Sequence, residues 1–135
     1  MHRLLVILSD GMYHSGEDLG EKLGISRAAI WKKIQKVSSL GLLLESKKGR
    51  GYRILGGLDL LASNQILSHL SPSAKALLFD LEVLSTVSST NTHARLYAEK
   101  SNASGRVIVA EGQTNGRGRR GKPWISPYGC NLYLS

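Results

Sequence analysis

The stretch from Ser15 to Gly41 constrains the fold most. Ser15 sits at a helix N-cap position with Asp18 three residues on, a weaker form of the capping box. Leu19 and Leu23 form an i, i+4 apolar pair, and Gly24 stops the helix. Ser26 caps the next helix, whose apolar stripe is Ile30, Ile34 and Val37, and Gly41 closes it. A three-residue turn containing glycine separates the two, the spacing of a helix-turn-helix. Upstream, Leu4, Leu5 and Leu8 give a further helix that ends at Asp10-Gly11. Downstream, residues 42–46 and 51–55 read as strands, joined by the turn Lys47-Lys-Gly-Arg-Gly51. Three helices and a basic hairpin make a winged helix-turn-helix over residues 1–56, with Gly56-Gly57 as its boundary.

Charge indicates what this unit meets. The 135-residue chain carries a formal net charge of +8. Between Ser26 and Arg53 stand eight basic residues against one acid, Glu45, a balance of +7. An anionic partner follows. At 100° per residue, Ala28, Trp31, Lys32, Gln35 and Ser39 point away from the apolar stripe, flanked by Arg27 and Lys36. The expected contacts to double-stranded operator DNA are therefore Ser26, Arg27, Ala28, Trp31, Lys32, Gln35 and Lys36, with Lys48 and Arg50 added from the hairpin. Gln35 can pair with adenine, Arg27 lies near the helix start, and the lysines suit phosphates. Two alternatives stay open. Winged helices also bind proteins, and Trp31 could pack on the hairpin or on a neighbouring domain.

The rest of the chain reads as a second domain, residues 57–135. Ser63 is expected to cap a helix from Asn64 to Leu70, which Ser71-Pro-Ser breaks. A first strand region spans Leu77 to Val87, and Ser88-Ser-Thr-Asn91 is an N-cap cluster leading a helix through Leu96 to Lys100. Ser101 to Gly105 is a loop, and Arg106–Glu111 has the continuous apolar centre of a buried strand. Cys130 is alone, so no disulfide framework exists; this fits a reducing compartment, and the expected location is the cytoplasm. No run approaches the ~18 apolar residues of a membrane span, so no membrane partner is expected. His2, His14, His69 and His93 lack metal-ligand spacing, so no metal site is expected, and no Ser/His/Asp arrangement is arguable.

Gly116-Arg-Gly-Arg-Arg-Gly-Lys122 packs three glycines, three arginines and a lysine into seven residues. Gly116, Gly118 and Gly121 are expected to take positive φ and let the backbone approach a ligand. The loop can present N–H groups and guanidinium forks to a phosphate or carboxylate. It lacks the spacing of a P-loop and the context of a dinucleotide fold. On composition alone, an unordered Arg-Gly arm on nucleic acid fits equally.

The order of residues goes further. That loop, then Trp124, then Ser126-Pro-Tyr-Gly-Cys-Asn-Leu-Tyr-Leu-Ser135, resembles the ligand loop and following strand of biotin protein ligases. His14-Ser-Gly-Glu and Ser26-Arg-Ala-Ala-Ile30 resemble the repressor domain of the bifunctional members of that family. The resemblance implies an α+β chain: a winged helix-turn-helix followed by the start of a mixed α/β ligase domain. It implies that biotin and ATP (with Mg2+) give biotinyl-5′-AMP, which acylates a lysine of biotin carboxyl carrier protein. It also implies repression of biotin synthesis genes and a homodimer in the full-length form. Ser89, Thr90, Asn91 and Gln113 would meet biotin; Gly116, Arg117, Gly118, Arg119, Arg120 and Trp124 would meet biotin or the adenylate, with Arg119 as the catalytic cation. Ser88 stands where the family commonly has Asp. The family's Lys-Trp-Pro-Asn-Asp segment is not found, so the chain is expected to be a fragment or truncated product, inactive alone. The alternative is a DNA-binding regulator without ligase activity.

Overall fold

The computed structural model describes residues 1–100 and 104–135, and these form two compact units, Met1–Leu60 and Leu61–Ser135. The first holds α1 (His2–Leu8), α2 (Gly16–Leu23), α3 (Arg27–Ser38), β1 (Leu44–Lys47) and β2 (Gly51–Ile54). Both caps form as the sequence indicates: Ser15 Oγ accepts from Asp18 N–H at 3.0 Å, and Ser26 Oγ from Ala29 N–H at 3.2 Å. Gly24 takes the left-handed conformation, φ 65°, that ends α2. A β-carbon on Gly20 would lie 2.8 Å from the Ile25 carbonyl, so the tight turn requires glycine at that position. Leu4, Leu5, Leu8, Leu19, Ile30, Ile34, Val37 and Ile54 are all buried. Each such side chain contributes about 1.5–3 kcal/mol relative to exposure.

The hairpin is a wing, β1 against β2 antiparallel, with Leu44 opposite Ile54 and Lys47 opposite Gly51. It starts two residues later than expected: Leu42 is in the core and Leu43 is outside. The sequence gives no sign of its third partner. His14 and Tyr52 exchange backbone hydrogen bonds at 2.9 and 2.8 Å, which ties the wing to the segment before α2. Gly51 (φ 104°) is pressed against the His14 carbonyl, where no β-carbon fits. Arg53 pairs with Glu45 at 2.6 Å and lies 4.6 Å from the centre of the Tyr13 ring. One of the eight cations is therefore engaged inside the wing. Leu58 N–H donates to Ser9 O, so ordered contacts of this unit continue past Gly57.

The second unit holds α4 (Ser63–His69), α5 (Pro72–Leu77), β3 (Asp80–Leu84), α6 (Thr90–Ala98), β4 (Arg106–Ala110), β5 (Gly116–Arg117), β6 (Pro123–Trp124) and β7 (Tyr133–Leu134). Strands β3 and β4 are parallel, and β7 joins β4 antiparallel. Several expectations are corrected. Ser63 is inside α4 and makes no capping hydrogen bond, while Leu70 is extended and outside it. Ser71-Pro-Ser does not merely break a helix. Ser71 accepts from Ala74 N–H, and Pro72 opens α5, because a helix start needs no N–H there. Leu77 thus ends a helix, and the strand begins only at Asp80. The α6 helix ends at Ala98, with Glu99 as its C-cap. The loop expected over residues 101–105 lies partly outside the described residues.

Residues with alternate facing on β3 and β4 do different things. Glu82 on one face accepts from Tyr97 OH and meets His93 Nε2 at 3.1 Å, so α6 covers that side. Leu81 and Val107 on the other face line an apolar groove of about 520 Å³ with Ile66, Leu78, Leu132 and Leu134. At the N-terminal ends of the strands, Arg106 pairs with Asp80 and lies 4.1 Å from the centre of the Tyr97 ring.

Candidate functional site

Ligands of open α/β sheets bind beyond the carboxyl ends of parallel strands. Here those ends are Leu84 and Ala110, and the chain beyond them stays paired. Val87 bridges Gln113 in parallel, Thr114 N–H donates to Val87 O at 2.9 Å, and Asn115 N–H donates to Ser88 O at 2.8 Å. This brings the start of α6 beside Gln113. Ser89 caps α6 through Thr92 N–H at 3.5 Å, and Ser89 and Thr90 are 5% and 4% exposed. Gln113 Oε1 accepts from Thr90 N–H at 2.9 Å and lies 3.3 Å from Thr90 Oγ1. Gln113 Nε2 donates to Ser126 Oγ at 3.0 Å, and Ser135 Oγ donates to Thr90 Oγ1 at 2.9 Å. The expected Ser89, Thr90 and Gln113 therefore come together. Ser126 and Ser135 complete the cluster and were missed; their only sequence signal is that they bracket the segment after the glycine loop. Asn91 is exposed.

The glycine loop is a short hairpin, β5 against β6, with Gly116 opposite Trp124 and Arg117 opposite Pro123. A 3-10 turn, Arg119–Gly121, closes it. The expected positive φ at Gly116 and Gly118 is not found: Gly118 has φ −86°, and the left-handed residue is Arg120, φ 59°. A non-glycine residue there stores roughly 1–3 kcal/mol of strain, a feature that clusters at ligand clamps. The glycines are needed for a different reason. A β-carbon on Gly116 would lie 2.8 Å from Ser126 Oγ, 2.9 Å from Trp124 O and 3.2 Å from Gln113 Nε2. The hairpin is thus seated directly on the Thr90–Gln113–Ser126 cluster. A β-carbon on Gly118 would come within 3.6 Å of the Trp124 ring, so the indole lies along the loop backbone. Arg117, Arg119, Arg120 and Lys122 are exposed, and none of them has an ion pair among the described residues. Burial raises the Tyr128 hydroxyl pKa, and Ser85 binds that hydroxyl at 3.0 Å beneath the site.

In the first unit, α3 exposes Ser26, Arg27, Ala28, Trp31, Lys32, Gln35 and Lys36, and the wing exposes Lys48 and Arg50. Trp31 is 55% exposed. Arg27 turns aside from the others: a β-carbon on Gly16 would lie 3.4 Å from its Cγ and 3.6 Å from its Nε.

Comparison with known proteins follows the same division. Residues 2–53 match an HTH domain, and residues 83–135 match the Biotin/lipoate A/B protein ligase family. Over 135 residues the chain is 43% identical to the Bifunctional ligase/repressor BirA of Escherichia coli, covering 98% of this chain and 39% of that protein. Over 121 residues it is 31% identical to the protein of the same name from Bacillus subtilis, covering 90% and 37%. Over nearly its whole length the chain is thus similar to part of proteins named bifunctional ligase/repressor. It spans about two fifths of the length of these relatives. A helix-turn-helix match followed by a match to the ligase family fits the α+β architecture that the sequence indicates. No helix among the described residues is long and apolar enough to cross a membrane.

Proposed function

We propose that the chain supplies the operator-reading domain and the biotin and adenylate loop of a biotin–protein ligase that also represses biotin synthesis genes. The observation that carries the ligase half is the seating of a four-cation hairpin on the Thr90–Gln113–Ser126 cluster at the carboxyl ends of β3 and β4. A neutral, hydrogen-bonding floor suits the ureido ring of biotin, and a cationic lid suits the carboxylate and phosphate.

The residues divide the work. Gln113 is held from both ends, by Thr90 and Ser126, so its amide has one orientation and fixes the floor. Ser89, Thr90 and the exposed Asn91 meet biotin at the start of α6. The N–H groups and guanidinium groups of the loop, from Gly116 through Arg120, surround the carboxylate as it attacks the α-phosphate of ATP and displaces pyrophosphate. Negative charge grows on the phosphoryl oxygens in that step, and preorganised donors stabilise it more than they stabilise the ground state. Arg119, in the turn, is the cation assigned to it, with Arg117 on the carboxylate. Trp124 backs the loop along Gly118. Biotin is its own nucleophile, so no protein nucleophile is required. Mg2+ arrives on the nucleotide phosphates, which is its usual mode of binding. The amine of a lysine of biotin carboxyl carrier protein then takes the biotinyl group, and AMP leaves. The expected assembly is a homodimer on operator DNA in the cytoplasm.

The test is calorimetric binding of biotinyl-5′-AMP to the chain and to Arg119→Ala, beside a gel shift with operator duplex. Binding that weakens at least tenfold in Arg119→Ala supports the ligase reading. Duplex binding without any adenylate binding leaves a DNA-binding regulator alone.

A further inference from the structure

The face of α3 that leads into the major groove does not include all of its exposed cations. Arg27 runs along Gly16, and a β-carbon there would also come within 3.8 Å of the Tyr52 ring. Its side chain therefore lies along Gly16 and lines the cleft that the wing also borders. Between Arg27 and the wing tip lies a polar cleft of about 340 Å³ into which Lys47 and Lys48 also open. Glu17 is the one acid on its rim, so three cations face one carboxylate. The wing is not free to fold away, because Tyr52 is bridged to His14 and Gly51 is wedged on the same carbonyl. The cleft is thus built from two elements fixed against each other, and three cations gather there against one carboxylate.

Like charges held together across a polar cavity favour an anion. A guanidinium fork with two lysines matches a tetrahedral phosphate, with Arg binding in a planar, two-point way and Lys as a point charge. We propose that this cleft seats one backbone phosphate of duplex DNA. Arg27 is then a phosphate clamp that sets the register of α3, and base reading falls to Gln35 and Trp31. This changes the role given to Arg27 by its place near the helix start, and it rests on the reading of the first unit as a DNA-binding domain. Register matters because phosphate contacts carry no sequence information but fix which base edges α3 can reach.

The experiment uses the whole chain and two duplexes: one selected by the chain from a randomised pool, and a scrambled version. Salt titrations compare wild type, Arg27→Gln and Gln35→Ala. Arg27→Gln is expected to weaken both duplexes by the same factor and to make the slope of log K against log salt shallower by about one unit. Gln35→Ala is expected to weaken only the selected duplex. A scan of neutral methylphosphonate linkages then locates the contact: at one position the wild type loses affinity and Arg27→Gln loses no more.

The proposal is overturned if Arg27→Gln affects only the selected duplex with an unchanged slope. It also fails if no linkage position abolishes the effect of Arg27→Gln. A wild-type chain that binds neither duplex overturns the DNA reading itself, a distinct result. Arg27 is exposed, so the variant should keep the wild-type melting curve, and this is checked alongside.

Discussion

The two units bury apolar side chains to different ends. In the first, Leu4, Leu5, Leu8, Leu19, Ile30, Ile34 and Val37 of the helices close on one core with Ile54. In the second, the fully buried set is small, Ile108 to Ala110 with Tyr128 and Tyr133, while Leu77, Phe79, Leu132 and Leu134 are exposed along or beside an open groove. The first unit is stabilised by packing, and its candidate DNA-contacting residues lie on its outside. The second holds its candidate biotin-binding residues by a polar lattice at the strand ends, away from that groove. The same substitution chemistry should therefore have unequal effects. Trp31 and Trp124, one in each unit, are the only tryptophans and report on each unit separately once the other is changed to Phe.

The largest expected effect is in the first core. Ile34→Ala should cost about 2–5 kcal/mol, because its buried site cannot collapse around the loss. Leu134→Ala, on the rim of the groove, should stay within about 0.5 kcal/mol. Denaturant midpoints followed at Trp31 and Trp124 measure both. Equal costs would break the contrast.

Next comes the polar lattice. Gln113→Ala leaves the buried Thr90 N–H without its acceptor, which should cost roughly 1–3 kcal/mol in the second unit and nothing in the first. Biotinyl-5′-AMP binding should weaken with it, and Ser126→Ala should show a milder form of the same loss, since it removes one anchor of the amide. If Ser126→Ala weakened binding more than Gln113→Ala, the floor would be Ser126 and not Gln113.

These two sites differ in how far the residues themselves disclosed them. Caps and a 3.6-residue period are local, so Ser15, Ser26 and the Ile30–Ile34–Val37 stripe marked their helices from the chain alone. A single-residue bridge such as His14 with Tyr52 has no period, and Arg53 looked free because Tyr13 and Glu45 are distant in sequence. Ser71-Pro-Ser reads as a break from the chain alone, yet proline opens helices as well as ending them, and here it opens one. In the loop the glycines were visible but their purpose was not. Their close approach is to Ser126, Gln113 and Trp124, a three-dimensional contact, and the left-handed residue is an arginine. The resemblance located Ser89, Thr90 and Gln113, while Ser126 and Ser135 needed the hydrogen-bond geometry.

On DNA the contrast is within the first unit. Lys48→Ala should weaken all duplexes alike and make the salt slope shallower by roughly one unit, as a lost phosphate contact does. Gln35→Ala should cost roughly 1–3 kcal/mol on the correct site only. Neither should move the Trp124 signal. A Lys48→Ala that altered sequence preference would show that the wing reads bases.

The smallest expected effect is in acid. The hydrogen bond from Arg53 holds the Glu45 carboxyl below the usual carboxylate range, helped by the Tyr13 hydroxyl. Lys22, 3.0 Å away, does the same for Asp18, against burial and with help from His14. Both groups bind protons less readily folded than unfolded, so the unfolded chain takes up more protons as pH falls. Their stabilisation is complete above the unfolded pKa, about 4, and is lost as pH drops through the lower folded values. The melting temperature seen at Trp31 should be flat from pH 7 to about 5 and decline below about 4. The carboxylates lie at the surface, where water and salt screen them, so the decline should be slight and should shrink further in 1 M salt. Glu45→Gln with Asp18→Asn should flatten it, because neither amide titrates. If the double variant declined as steeply as the wild type, acid sensitivity of the wing would have to come from other groups, and the wing would owe its position to the His14–Tyr52 bridge and the Gly51 wedge alone.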